Sequence, residues 1–125
     1  EPFVVREKGS DTLASMEESF GAQFRHLKAA MEIKSTETIK QAVMAGMGIS
    51  FLSAHTVSAE LRAGTLAVLD VQGFPSMLHW YVVHRRNKRL PPVAQAFKEF
   101  LLAEGAALIQ QLVPYPVSER RGKPR

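Results

Sequence analysis

Hydrophobic positions along the chain recur with two different periods, and the changes of period mark out its elements. Met31-Glu32-Ile33 alternates apolar and polar, which predicts a half-buried strand. Ser35 or Thr36 then offers an N-cap oxygen, and Glu37 suits the positive end of a helix dipole. Ile39, Val43 and Met47 repeat at i, i+4 and i+8 beside Ala42 and Gly46, while Glu37, Lys40 and Gln41 fall on the side turned to water. Gly46 and Gly48 close the helix, and Ile49 to Leu52 reads as a short strand covered on both faces. Met31 to Ala54 is therefore a strand–helix–strand unit, and the rest of the chain is arranged around it.

On the N-terminal side, Phe3-Val4-Val5 marks a strand, and Glu7 to Thr12 a polar loop rich in cap residues. Leu13, Met16, Phe20 and Phe24 lie on one helix face, which Gly21 ends or weakens. On the C-terminal side, Val57 to Arg62 reads as a short helix closed by Gly64. Leu66 to Val71 and Leu78 to His84 read as strands, separated by a loop around Pro75. Pro91-Pro92 opens the longest helix, with an expected buried stripe of Val93, Phe97, Phe100, Leu101, Leu108 and Leu112, ending before Pro114. The order β-α-β-α-β-α-β-β-α predicts an α/β fold, a parallel-rich sheet flanked by helices. Its last strand and helix depart from the winding, because a strand-to-strand connection interrupts the alternation.

Composition narrows the picture. With 125 residues, 46% of them hydrophobic, the chain can build one compact core. It has no cysteine, so neither a disulfide framework nor a cysteine metal site is open to it. No stretch reaches the roughly 20 apolar residues that span a bilayer. Glu1 to Val5 opens inside a strand, without an initiator Met or a signal-peptide pattern, as a segment of a longer protein would. The net charge of +4 resides mostly in the last seven residues, Glu119 to Arg125, whose four basic side chains and one acidic contribute +3. Arg85, Arg86, Lys88 and Arg89 form a second cluster in a loop. Neither cluster lies on a helix face or alternates with aromatic residues, so the basic excess reads as a solvated turn and a disordered tail rather than a nucleic-acid surface.

Candidate chemistry is sparse. His26, His55, His79 and His84 have no paired carboxylates at ligand spacing, so neither a metal site nor a catalytic site is predicted. No serine sits in a G-x-S-x-G turn, and neither a dinucleotide fingerprint nor a phosphate-binding P-loop is present. What remains are two hydroxyl-rich helix starts, Ser10-Asp11-Thr12 and Ser35-Thr36, each following a strand. Plain helix capping accounts for both. In open α/β sheets, however, ligands also settle beyond the carboxyl ends of strands, where free helix amides favour carboxylate or phosphate. Asp11 counts against an anion at the first start unless its side chain turns away.

These residues also carry a resemblance. Glu32 through Leu52, with Ile39-Lys40-Gln41-Ala42-Val43 followed by Ala45-Gly46-Met47-Gly48-Ile49-Ser50-Phe51-Leu52, resembles the effector domain of LysR-type transcriptional regulators. Phe3 to Thr12 is similar to the opening of that domain's second subdomain, and Glu60 to Leu66 to a later helix–Gly–x–Leu element. The likeness covers about residues 2 to 110 and lies nearest the Calvin-cycle (RuBisCO operon) branch, through LAVLDVQGFP, WYVVHRRNKRL and AFKEFLLAEGA. In that branch Asn follows the serine where Thr36 stands here, a change that keeps a capping oxygen.

The resemblance implies a periplasmic-binding-protein-like (type 2), Rossmann-like architecture. Residues 1–71 would form effector-binding subdomain II, 72–113 the return strand and C-terminal helix belonging to subdomain I, and 114–125 a disordered basic tail. A winged helix-turn-helix and most of subdomain I would lie outside this chain. The implied protein is cytoplasmic, has no enzymatic activity and no cofactor, and reaches DNA only through that separate module. It would form a homo-oligomer, as a dimer of this segment and a tetramer of the whole regulator. The matching effector positions are Gly9, Ser10, Thr12, Ser35 and Thr36, and the implied ligands are phosphorylated metabolites such as ribulose bisphosphate, phosphoenolpyruvate, ATP or NADPH. A lobe of a transporter's solute-binding protein shares the fold and is the alternative; a fragment of an α/β enzyme is a third reading, disfavoured by the missing catalytic cluster.

Overall fold

A computed structural model describes residues 1–112. The chain divides into two units, Glu1–Asp70 and a second beginning at Val71. The first unit is α/β with parallel strands. Strand β1 (Phe3–Arg6) leads into helix α1 (Asp11–Phe20), a 3₁₀ stretch (Gly21–His26) and strand β2 (Ala29–Ile33). Helix α2 (Thr36–Met44) follows, then a 3₁₀ turn (Ala54–Val57) and helix α3 (Ser58–Ala63). β1 and β2 pair in parallel, with Val4 opposite Met31 and Arg6 opposite Ile33.

Burial follows the expected pattern around β1. Val4 and Ile39 are fully buried and pack with Ala42 into one cluster, against which Met31, Ile33, Val43 and Leu52 are half-buried. Val5, on the opposite face of the strand, is buried as well. α1 packs on β1 and carries the buried Met16. The α1 face does not run on regularly to Phe24, because Gly21 takes φ 50° and the chain tightens into the 3₁₀ stretch. Phe20, at the end of α1, meets Phe3 and Phe51 edge to face, with ring centroids 6.0 and 6.4 Å apart.

The expected strand Ile49–Leu52 is reduced to a single bridge. Ile49 pairs with Phe3, donating to the Pro2 carbonyl at 3.0 Å and accepting from the Val4 amide at 2.8 Å. In a regular parallel ladder the Phe51 amide would donate next to the Val4 carbonyl. The Ser50 hydroxyl does so instead, at 2.7 Å, and pairing stops there. Gly48 makes the bridge possible. Its φ is 147°, and a Cβ at this position would collide with the Pro2 carbonyl oxygen.

Two further expectations on α2 are corrected. The helix ends at Met44, so Met47 lies beyond it and is about half exposed rather than continuing the buried stripe. Lys40, expected in water, is buried, because its amine reaches both Glu37 and Glu60 at 2.7 Å. Helical spacing places Lys40 beside Ile39, and the arrival of α3 covers that side as well.

Leu66–Val71 and Leu78–His84 form no β-ladder among the described residues. Their composition suits strands, but a ladder forms only where a second backbone runs alongside, and β-propensity does not supply one. Val68, Leu69, Trp80, Tyr81 and Val83 are exposed as a result. In the second unit, helix α4 (Pro92–Leu112) starts at the Pro-Pro as expected. Its expected stripe is corrected: Val93, Phe97, Phe100, Leu108 and Leu112 are exposed, Leu101 is half-buried, and Gly105 is the buried position. An apolar stripe tells which face favours burial; it does not supply the element that buries it. The expected end of this helix before Pro114 and the expected disordered tail, 114–125, lie outside the described residues.

Candidate functional site

Parallel pairing brings the carboxyl ends of β1 and β2 to one edge of the first unit, at the paired residues Arg6 and Ile33. Each strand turns there into a helix. After β1 the chain passes through Gly9, whose φ of 88° favours glycine, and reaches Ser10 in extended conformation. The Ser10 hydroxyl accepts from the Leu13 amide at 3.2 Å and caps α1. After β2, Ser35 does the same for α2, accepting from Thr38 at 3.3 Å. The first turn is tied to β2, since the Lys8 amide donates to the Glu32 carboxylate at 3.3 Å.

Of the positions expected from sequence, Ser10 and Ser35 are used as caps of their own helices, and Gly9 shapes the turn ahead of the first. Thr12 is half-buried in the first turn of α1. Asp11, the residue that counted against an anion, is exposed at the helix start. Thr36 does more than open α2, because its hydroxyl accepts from Arg6 Nη1 at 2.9 Å, linking the end of β1 to the start of α2.

Arg6 is the member of this edge that sequence reasoning passed over. It ends the apolar run Phe3-Val4-Val5, and a charged residue in that position was the available signal. Its guanidinium grips the neighbouring Glu7 through two bonds, Nε to Oε2 at 2.8 Å and Nη2 to Oε1 at 3.1 Å. The bond to Arg6 holds the Glu7 carboxyl below its usual range, helped by a backbone hydrogen bond and the charge of Lys34, and Glu7 in turn raises Arg6. Both are charged at neutral pH. The edge thus offers helix amides, hydroxyls and one forked cation, a set suited to holding an anion rather than to breaking bonds. Among the described residues no group of three or more His, Asp or Glu side chains could hold a metal ion, and no helix is long and apolar enough to cross a membrane.

The chain is similar to known proteins over most of its length. The LysR substrate binding domain family matches residues 1–106. The chain is 45% identical over 108 residues to a RuBisCO operon transcriptional regulator of Allochromatium vinosum, covering 86% of this chain and 36% of that protein. It is 50% identical over 113 residues to the HTH-type transcriptional regulator CbbR of Xanthobacter flavus, covering 90% of this chain and 34% of that one. It is also 45% identical over 108 residues to the HTH-type transcriptional activator CmpR of Synechocystis, covering 86% and 36%. The chain spans about a third of the length of these relatives. With a parallel α/β unit, two capped helix starts on one edge and a family match over most of its length, the chain belongs to the LysR substrate-binding domain family.

Proposed function

We propose that this chain is the effector-sensing part of a LysR-type regulator of RuBisCO and carbon-fixation genes, and that it binds a small phosphorylated metabolite at the edge formed by Gly9, Ser10, Thr12, Ser35 and Thr36. The observation that carries the reading is that edge, with two capped helix starts and a charged guanidinium beside Thr36. The relatives' names as operon regulators support this reading over the solute-carrier alternative. No step of catalysis is needed. Residues 1–71 supply one wall of a cleft in a type 2 periplasmic-binding-protein-like fold, and the segment that follows belongs to subdomain I. DNA is contacted by a separate helix-turn-helix module of a cytoplasmic homo-oligomer. The exposed apolar residues of the second unit support that self-association. A metabolite bound in the cleft acts only through its differential affinity for two arrangements of the walls, and so shifts their populations.

Titration of the 125-residue chain with ribulose bisphosphate, phosphoenolpyruvate, ATP and NADPH, followed by amide resonances, tests the proposal. One of these should shift the amides around Ser10–Leu13 and Ser35–Thr38 saturably, with a Kd on the order of 1 mM for a single wall. Flat titrations at both helix starts for all four compounds would overturn it.

A further inference from the structure

We infer that Arg6 is the residue by which this edge selects a phosphate- or carboxylate-bearing ligand, and that Glu7 is a resident carboxylate occupying Arg6 until the ligand replaces it. The inference rests on the reading that an anion binds at this edge, and it adds the selecting residue and its internal competitor.

The geometry of the guanidinium carries the argument. Arginine has five N–H donors in a fixed plane. Three are engaged, the Nε and Nη2 donors by Glu7 and one on Nη1 by Thr36. One donor on each terminal nitrogen is left without a protein acceptor among the described residues, and a fifth of the side chain's surface remains open to solvent. An incoming anion can therefore meet the free donors before Glu7 lets go, which makes exchange stepwise. Thr36 fixes the plane of the fork from a different element, thirty residues away in sequence, so the guanidinium keeps its aim when Glu7 leaves.

The placement of Arg6 also needs explanation. A cation bonded to Thr36, the first residue of α2, sits near the positive end of that helix's dipole, the unfavourable arrangement. Glu7 offsets this with a single negative charge. A phosphate group, with up to two charges and three acceptor oxygens, is a better match to the same donors. Glu7 is the chain neighbour of Arg6, and a pair between adjacent residues ties no two elements of the fold together. Its consequence falls on binding. Every ligand must compete with a carboxylate that is always at hand, which sets a threshold concentration below which the edge stays occupied by its own side chain.

The test uses the 125-residue chain and inorganic pyrophosphate as the probe, with Glu7→Gln and Arg6→Lys as variants. Each variant is first checked for native circular dichroism. In the unaltered chain, pyrophosphate should shift the Arg6 Nε–H resonance, and the Glu7 carboxyl should then titrate nearer its ordinary range. Glu7→Gln should tighten binding by about tenfold, because the competitor is lost, and Arg6→Lys should weaken it by about tenfold, because a lysine keeps the charge without the fork. Shifts confined to the helix-start amides, with Arg6 Nε–H and both affinities unchanged, would overturn the role of Arg6 and Glu7 while leaving the anion site standing. Weaker binding by Glu7→Gln would overturn the competitor role. No shift anywhere would overturn this inference together with the reading beneath it.

Discussion

Lys40 on α2 and Glu60 on α3 meet at 2.7 Å with side chains only 10% and 15% exposed, joining two helices twenty residues apart. Glu37 completes the group at 2.7 Å from the same amine, but from a far more exposed position. Glu60 Oε2 is buried without a hydrogen bond among the described residues, so Lys40 is the group that offsets its charge. Removing one partner of such a pair leaves the other charge enclosed, which is costlier than never having enclosed it. Lys40→Met should therefore lower the thermal midpoint clearly, and Glu37→Gln only slightly. The double change Lys40→Met with Glu60→Leu should recover much of the loss. Thermal denaturation of the three variants decides this; equal losses for Lys40→Met and Glu37→Gln would contradict it.

The same ion pairs set the pH range of stability. The hydrogen bond from Lys40 lowers Glu37 and Glu60 from their usual value of 4.5, and that from Arg6 lowers Glu7. A carboxyl lowered in the folded state contributes stability above its unfolded pKa, and the contribution disappears as pH falls through the folded value. Lys40 is raised above 10.5, so its contribution is complete below 10.5 and lost as pH rises through the folded value. Stability from these pairs should form a plateau between roughly pH 5 and 10, falling on both sides. In Lys40→Met both flanks should become shallower. Unchanged flanks, measured by urea denaturation across pH, would show that Lys40 does not set them.

Gly48 and Gly46 separate two kinds of glycine requirement. At Gly48 a side chain meets the Pro2 carbonyl across the Ile49 bridge, in addition to an unfavourable φ. At Gly46, φ is 77° and a Cβ would have open space. Gly46→Ala should cost about 1 kcal/mol and Gly48→Ala about 2–3 kcal/mol, with loss of protection at the Ile49 and Val4 amides in hydrogen exchange. Equal costs, with both amides still protected, would count against the close approach.

The capping serines distinguish folding from binding. Ser35→Ala with Thr36→Ala should lower stability by roughly 1 kcal/mol through the lost cap. In a regulator carrying this segment, the same pair should reduce the response to effector by a larger factor, because Thr36 also holds Arg6. Effector titrations unaltered by the double change would remove that helix start from the site.

Exposed apolar residues should make the chain associate. Phe97→Lys and Val83→Lys, at positions 60% and 87% exposed, should leave the melting temperature nearly unchanged while shifting sedimentation toward monomer. A monomer at all concentrations before substitution would refute this.

The sequence by itself determined the local features: a cap at Ser35 or Thr36 and another within Ser10-Asp11-Thr12, the Pro-Pro start of α4, the buried Val4, Met16, Ile39 and Ala42, and the hydroxyl-rich ends of two strands. These depend on spacing and on the chemistry of one or a few neighbouring residues, which a linear pattern records. It also carried the family likeness, through long runs of matching residues. Tertiary structure decided where backbone meets backbone. Ile49 gained a single bridge because Ser50 took the next acceptor, and the apolar runs 66–71 and 78–84 form no β-ladder among the described residues because β-propensity brings no neighbouring strand with it. It decided, too, that Lys40 is buried and that Arg6 reaches Thr36, since each depends on an element arriving from twenty or thirty residues away. Charges are paired through space, and periodicity along the chain carries no record of that.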